Sequence, residues 1–377
     1  MNPTPNQNVQ IAKPLTNAID KQEVQFARAF ELVRNAVGER VFPGASLAVT
    51  YRGALIAARG FGRFTYDSAA PEVKADTVFD LASVTKVLAT TPTAMILYER
   101  GLLHLDAPVA ELLPEFASFG PPDQSTERRA VTLRMLLAHS SGLPAYVKLF
   151  ESARTREELF RAACGTRLEA PPGSKAEYSD IGFILFGEIL ARLAKEPLDV
   201  FARREIFTPL GMTRTRFNPP PDERDKIPPT ENDRAFRHRI IQGEVNDENA
   251  HVMGGVSGHA GLFAPAVDVA RFAECMLHEG SPLFQPTTVE LFTRREINPL
   301  GTSRTLGWDT PSEPSTSGRY FSPRSFGHLG FTGTSLWIEP ERKLSVTLLS
   351  NRIWPDRGSR AIRQVWPLLH DAIVEAL

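Results

Sequence analysis

The sequence is poor in cysteine: two in 377 residues, Cys164 and Cys275. That excludes a disulfide framework and a cysteine zinc cluster, and each cysteine stands in a helix-like apolar setting that suits a buried free thiol. No run of about 18 apolar residues occurs, so no membrane span is expected. Net charge is nearly absent, with 43 Lys+Arg against 44 Asp+Glu. No bulk field therefore draws nucleic acid or an anionic membrane, and partners must be recognised locally. Lysine is scarce beside arginine, nine against 34, but the arginines are scattered among acids and read as a solvated, ion-paired surface. Met1–Ala18 lacks the basic start and apolar core of a secretion signal. The chain as written is expected in the cytoplasm, or in the periplasm or secreted if a leader has been removed.

Familiar chemical signatures are missing too. No His-Glu-x-x-His occurs, and Asp247, Glu248, His251 and His259 lack metal-ligand spacing, so a solvated loop followed by a glycine-rich turn accounts for them. The lack of Gly-x-Ser-x-Gly removes the usual α/β-hydrolase elbow. Neither a phosphate-binding loop nor Gly-x-Gly-x-x-Gly is present. Neither a metal nor a cofactor is expected.

What is present suffices for a large core. The length suggests two domains or one two-lobed fold on a prior of roughly 150 residues per domain, and 42% hydrophobic residues exclude a disordered polymer. Gln22–Val37 has apolar residues at helical spacing, and Ala45–Thr50, Ala54–Phe61 and Thr77–Leu81 read as strands. From Val84 the period changes: Val84–Glu99 reads as one long apolar helix, and Thr132–His139, Arg156–Cys164, Ile181–Ala194 and Val200–Phe207 continue the helical character. Pro219–Asn249 is long, polar and without period, the mark of a functional lid or an insertion. A helix at Val267–His278 is followed by strand-like runs at Leu306–Trp308, Thr334–Ile338 and Leu344–Leu349, and by a last helix from about Ser359. Strands at both ends with helices between imply an α/β two-lobed (α+β) fold, an antiparallel sheet flanked by helices plus an all-helical lobe. The expected division is 20–82 with 255–377, 83–254, and an extension over 1–19. The crevice between lobes is the default ligand site.

Ser83-Val84-Thr85-Lys86 is the one Ser-x-x-Lys in the chain, placed where a strand gives way to an apolar helix. Residues three apart on a helix share a face. A serine hydroxyl needs a neighbouring base, and Lys86, the sole charged residue from Val84 to Leu97, can serve if burial lowers its pKa. On this motif alone, a Ser83 helix cap with a snorkelling Lys86 is an equal alternative. Glu177-Tyr178-Ser179-Asp180 lies at a helix mouth, where a tyrosine shuttles protons if a cation lowers its pKa; singly, it reads as an amphipathic plug beside an Asp180 cap. His328-Leu329-Gly330-Phe331-Thr332-Gly333-Thr334 precedes a strong strand, and its glycines admit a ligand's backbone or form a plain turn.

These three motifs, in this order, resemble those of the penicillin-recognising serine hydrolases: class C β-lactamases, low-molecular-weight penicillin-binding proteins, and related esterases and D-amino-acid peptidases. The resemblance runs from about Phe42 nearly to the end and includes Leu136–Pro144, Pro209–Met212 and Gly254–Phe263. It implies Ser83 as the acylated nucleophile, Lys86 as base or relay, Tyr178 as second proton shuttle, and an oxyanion hole from the N–H groups of Ser83 and Phe331. Asp180, His328 and Gly330 fall at substrate-binding positions. Asp180 stands where the family usually has Asn, and His328 where it usually has Lys. An ionised Asp180 can only accept hydrogen bonds and, if close, favours the Lys86 ammonium and passes base duty to Tyr178. His328 with Leu329 lacks the fixed cation and hydroxyl that suit a β-lactam, so weak β-lactamase activity is expected while ester or amide hydrolysis is retained. The expected function is a serine hydrolase acting on a small-molecule or peptide substrate, an ester or a D-Ala-type amide. The alternative is a penicillin-binding sensor with little turnover. Leu143–Phe150, Pro219–Asn249 and Thr310–Pro323 are expected to edge the pocket. Oligomeric state is not readable.

Overall fold

A computed structural model describes residues 11–377. Residues 1–10 of the expected extension, and most of the segment read for a secretion signal, lie outside them. Three strands near the start, β1 (Thr16–Asn17), β2 (Gly44–Tyr51) and β3 (Ala54–Gly62), join three near the end, β9 (Phe326–Gly330), β10 (Thr334–Glu339) and β11 (Leu344–Ser350). They form one sheet in the order β1-β3-β2-β11-β10-β9, antiparallel except for β1 on β3. The register sets Ala48 opposite Thr347, and Trp337 opposite Val346 on one side and Gly327 on the other.

Helices cover both faces of this sheet, which is why β10 and β11 are buried throughout and show no clean apolar–polar alternation. Phe26, Phe30 and Val33 recur at three- to four-residue intervals and so share one helix face. With Trp366, Leu369 and Ile373 of the C-terminal helix Ile362–Glu375 they pack on Leu47, Val49, Trp337 and Val346. Helix Ala266–Leu277 crosses the other face against β2 and β11. Each large apolar side chain so buried contributes about 1.5–3 kcal/mol.

The middle of the chain is mainly helical, built around the fully buried Phe183, Leu185, Phe186 and Ile189 of helix Asp180–Ala194. It also carries small sheets: β4 (Val78–Asp80), β8 (Leu262–Pro265) and β5 (Arg216–Phe217) in the order β4-β8-β5, and a hairpin of β6 (Glu231–Asp233) with β7 (Arg239–Ile241). That hairpin belongs to the aperiodic stretch Pro219–Asn249, which is tied into the fold by Asn351 Nδ2 on the Pro229 carbonyl at 2.9 Å.

Three local expectations change. Val84–Glu99 is three pieces: a 3-10 turn Ala82–Val84, a π-helical turn Lys86–Thr90 and an α-helix Thr91–Glu99, with Pro92 withdrawing one donor at the junction. Leu306–Trp308 is a turn, because Gly307 adopts φ 97° and lies against Thr91 where a Cβ would collide. His328–Gly330, read as a turn before a strand, form the end of edge strand β9, which Gly327 and Gly330 conceal by their low β-propensity. No helix among the described residues is long and apolar enough to cross a membrane.

Candidate active site

β4 delivers the chain to Asp80, whose two carboxylate oxygens accept from the N–H groups of Ala82 (2.8 Å) and Asn246 (2.7 Å). Burial pushes the Asp80 carboxyl up to about 6, against the pull of those two bonds. Ala82 adopts φ 45°, a left-handed conformation that costs a residue with a Cβ about 1 kcal/mol or more. The Asp80 bond holds that kink, and the kink turns Ser83 into the cleft. The hydroxyls of Thr332 and Thr334 donate to the carbonyls of Asp80 (2.8 Å) and Leu81 (2.9 Å), which brings the β9–β10 turn and Phe331 beside Ser83. Gly330 serves this approach: a Cβ there would strike Thr334 Oγ1 and the Leu81 carbonyl. The space its glycine leaves is taken by the chain itself, although Gly330 still lines the cleft.

On the opposite wall, helix Asp180–Ala194 is capped by Ser179, not by Asp180: Ser179 Oγ accepts from Gly182 N–H at 3.1 Å and donates to the Pro144 carbonyl at 2.7 Å. Asp180 is thereby released to face inward. Ser179 N–H donates to His139 Nδ1 (3.0 Å), and the His139 ring lies 4.8 Å from that of Tyr178. The stretch Leu136–Pro144 thus acts as the mount for Tyr178.

The three distant motifs converge. Ser83 Oγ lies 3.1 Å from Lys86 Nζ and 2.6 Å from Tyr178 Oη, and Lys86 Nζ lies 2.6 Å from Tyr178 Oη. Lys86 is fully buried, which removes the snorkelling alternative. It also reaches Asp180 Oδ1 at 2.7 Å and the His259 carbonyl at 3.0 Å. An ammonium has three N–H bonds for these four oxygens, whereas a neutral amine has two and a lone pair that can accept from a hydroxyl. Burial drives the Lys86 pKa down, and Asp180 only partly restores it. Burial, with Asp180 again, holds Tyr178 well above the usual phenol range. The direction at Tyr178 is thus opposite to the cation-lowered value expected, and a resting phenolate is disfavoured.

His328 is neutral. Its Nδ1–H donates to the Leu329 carbonyl at 2.8 Å, leaving Nε2 as a buried, unpartnered acceptor. Burial, then Lys86 and Arg304, depress its pKa to about 3. Positive charge is nevertheless present in the cleft, from residues the sequence reading set aside. Arg304 lies 5.8 Å over the Tyr178 ring, and Arg352 lies 4.9 Å over that of Phe331.

Asp247 and His259 need the same correction. His259 is buried and bridges Ser257 Oγ and Asp247 Oδ1, each at 2.8 Å. Gly258 packs against the Phe183 carbonyl with no room for a Cβ, and Thr90 Oγ1 donates to its carbonyl at 2.6 Å. This rigid seat sets the His259 carbonyl that receives Lys86. Of the three segments expected to edge the cleft, Tyr146 and the end of Pro219–Asn249 do so; in place of Thr310–Pro323, the edge is formed by Asp309 and the Arg352–Trp366 segment. Four arginines at 352, 357, 360 and 363 were the available signal.

The fold is shared with solved structures of a hydrolase and of penicillin-binding protein homologues. EstCE1, described as a hydrolase with promiscuous acyltransferase activity, superimposes with a TM-score of 0.76 at 22% identity, covering 93% of this chain and 99% of that one. A penicillin-binding protein homologue from Caulobacter crescentus gives 0.72 at 21% identity, covering 94% and 98%. The Beta-lactamase family model matches residues 29–366, so the chain belongs to the β-lactamase family of serine hydrolases. A protein of Escherichia coli (strain K12), provisionally named a D-alanyl-D-alanine carboxypeptidase, is 33% identical over 333 residues, 81% of this chain and 76% of that protein. The N-acetylmuramyl-L-alanine amidase of Bacillus subtilis (strain 168) is 33% identical over 350 residues, 82% and 77%.

Proposed function

We propose that the protein hydrolyses an ester or amide through an acyl-enzyme on Ser83. The carrying observation is the mutual contact of Ser83 Oγ, Lys86 Nζ and Tyr178 Oη within 2.6–3.1 Å. A neutral Lys86 takes the Ser83 proton, either directly or through Tyr178, which passes its own proton to Lys86 as it receives the serine's. This relay needs no free phenolate and agrees with the raised Tyr178 pKa. Asp180, 2.7 Å away, stabilises the ammonium so formed. The Ser83 N–H and the Phe331 N–H, given this role by the family resemblance, would serve as the oxyanion hole; both residues line the cleft, and preorganised donors of this kind contribute about 3–4 kcal/mol each. Return of the proton to the leaving group, and the same relay acting on water, completes turnover.

D-Ala-type peptides are the favoured amide class, supported by the name of the E. coli relative, and the name of the B. subtilis relative supports amide hydrolysis more broadly. Small acyl esters are the second class, supported by the likeness to EstCE1. Weak β-lactamase activity remains the expectation, since the neutral His328 offers no cation at its position. The test is a panel of p-nitrophenyl esters, D-Ala-D-Ala peptides and a labelled penicillin. Turnover that disappears in Ser83→Ala while the thermal melt is unchanged supports the reading. A lasting penicillin adduct with no turnover of any panel member replaces it with the sensor reading.

A further inference from the structure

The cleft that holds Ser83 has a volume of about 590 Å3 and is lined in part by Arg352, Arg357, Arg360 and Arg363, the first two lying over the Phe331 ring at 4.9 and 5.5 Å. The acids of the cleft are already engaged: Asp180 with Lys86, Asp247 with His259, Glu248 with Arg357 at 2.7 Å, and Asp309 with Arg304 at 3.4 Å. Arg357 is further held by Glu231 at 2.8 Å. Arg352, by contrast, finds only the Ser359 carbonyl (2.5 Å) for its guanidinium, and no ion pair forms at Arg352, Arg360 or Arg363 among the described residues. Residues 1–10 contain no Asp or Glu that could supply one. Three guanidinium groups are thus gathered in one cleft of a chain whose net charge is -1. Burial, and after it the positive charge of Arg363, Arg360 and Arg357, pushes Arg352 down to about 10. Guanidinium forks bind carboxylate and phosphate oxygens in pairs.

We infer that Arg352, Arg360 and Arg363 form an anion subsite in the cleft, on the side of the Phe331 ring, so that the substrate carries two or more negative charges in addition to the carbonyl attacked by Ser83. The substrate clause rests on the hydrolase reading; the subsite does not. Oxygen anions of either carbon or phosphorus fit these forks, and the test separates them.

Isothermal titration of tricarballylate, pyrophosphate and, as a monoanion control, acetate into the full chain reads the subsite directly. Both polyanions, or one of them, should bind saturably, weaken with added NaCl, and lose about ten-fold or more in affinity in Arg360→Gln/Arg363→Gln, with partial recovery in Arg360→Lys/Arg363→Lys. The tighter of the two identifies the group as carboxylate or phosphate. Both arginines are exposed, so the substitutions leave the core intact. The same titration of Ser83→Ala keeps the outcome independent of turnover: the polyanions should bind it as they bind the wild type, and a failure of the wild type to turn over the ester and peptide panel sinks only the hydrolase reading. No saturable binding, or equal affinity in wild type and the Gln variant, overturns the subsite.

Discussion

Asp180 sits 2.7 Å from Lys86 and 2.9 Å from Tyr178, and its charge acts on both. It raises Lys86 against the lowering by burial, and it adds to the raising of Tyr178. Because the base must be deprotonated, kcat/KM rises with pH through the Lys86 pKa. Asp180→Asn removes the charge that holds the proton on, so the acid limb should move to lower pH by about one unit or more, with a lower plateau because the ammonium formed in the reaction loses its partner. A pH–rate profile of the two proteins decides it, and an unmoved limb assigns the base elsewhere. Ser83, Lys86 and Tyr178 each stand in a local motif that alone admitted a plain structural reading, and it was the resemblance of the three motifs in their order that singled them out. The roles of Asp247, His259 and Arg304 were not readable, since each depends on which carbonyl, ring or carboxylate the fold sets opposite it.

At the scale of elements, two short devices position the chemistry. The Ser179 cap joins helix Asp180–Ala194 to Pro144, and Ser179→Ala should cost about 1–2 kcal/mol in urea unfolding and lower kcat more than it raises KM, as Tyr178 loses its mount. Asp80 receives two backbone N–H groups, whereas an amide has one acceptor oxygen and would set N–H against N–H. Asp80→Asn should therefore destabilise by about 1–3 kcal/mol and misplace Ser83. Unchanged unfolding midpoints contradict both statements. The central strands and the helical character of Gln22–Val37 were legible because their apolar spacing is set by burial, although the structure divides that segment at Phe26 into Gln22–Gln25 and Ala27–Gly38. The break at Lys86–Thr90 and strand β9 were hidden, the first by an apolar run with no local sign of a wider turn, the second by glycines whose reason is close packing against Leu81 and Trp337.

Across the whole molecule, sheet strands from both ends of the chain enclose a helical middle, as the order of periodicities implied. The same packing buries His328 at the cleft and His370 in the C-terminal helix. Burial depresses their pKa values to about 3 and about 4 from an ordinary 6.5. A depressed histidine favours the folded state above 6.5, and that contribution falls as pH drops from 6.5 toward the folded value. At pH 5 each costs about 2 kcal/mol. Urea midpoints should thus fall between pH 7 and pH 5, and His370→Gln, remote from Ser83, should shrink that fall by about one histidine's share. An equal fall in the variant excludes His370 from the effect.

Intact-protein mass measurement after a fluorophosphonate probe, with peptide mapping of the adduct, addresses the nucleophile itself. One adduct should form, on Ser83, with labelling slowed about 100-fold or more in Lys86→Met and Tyr178→Phe. An adduct on another residue, or wild-type labelling rates in both variants, would contradict the account.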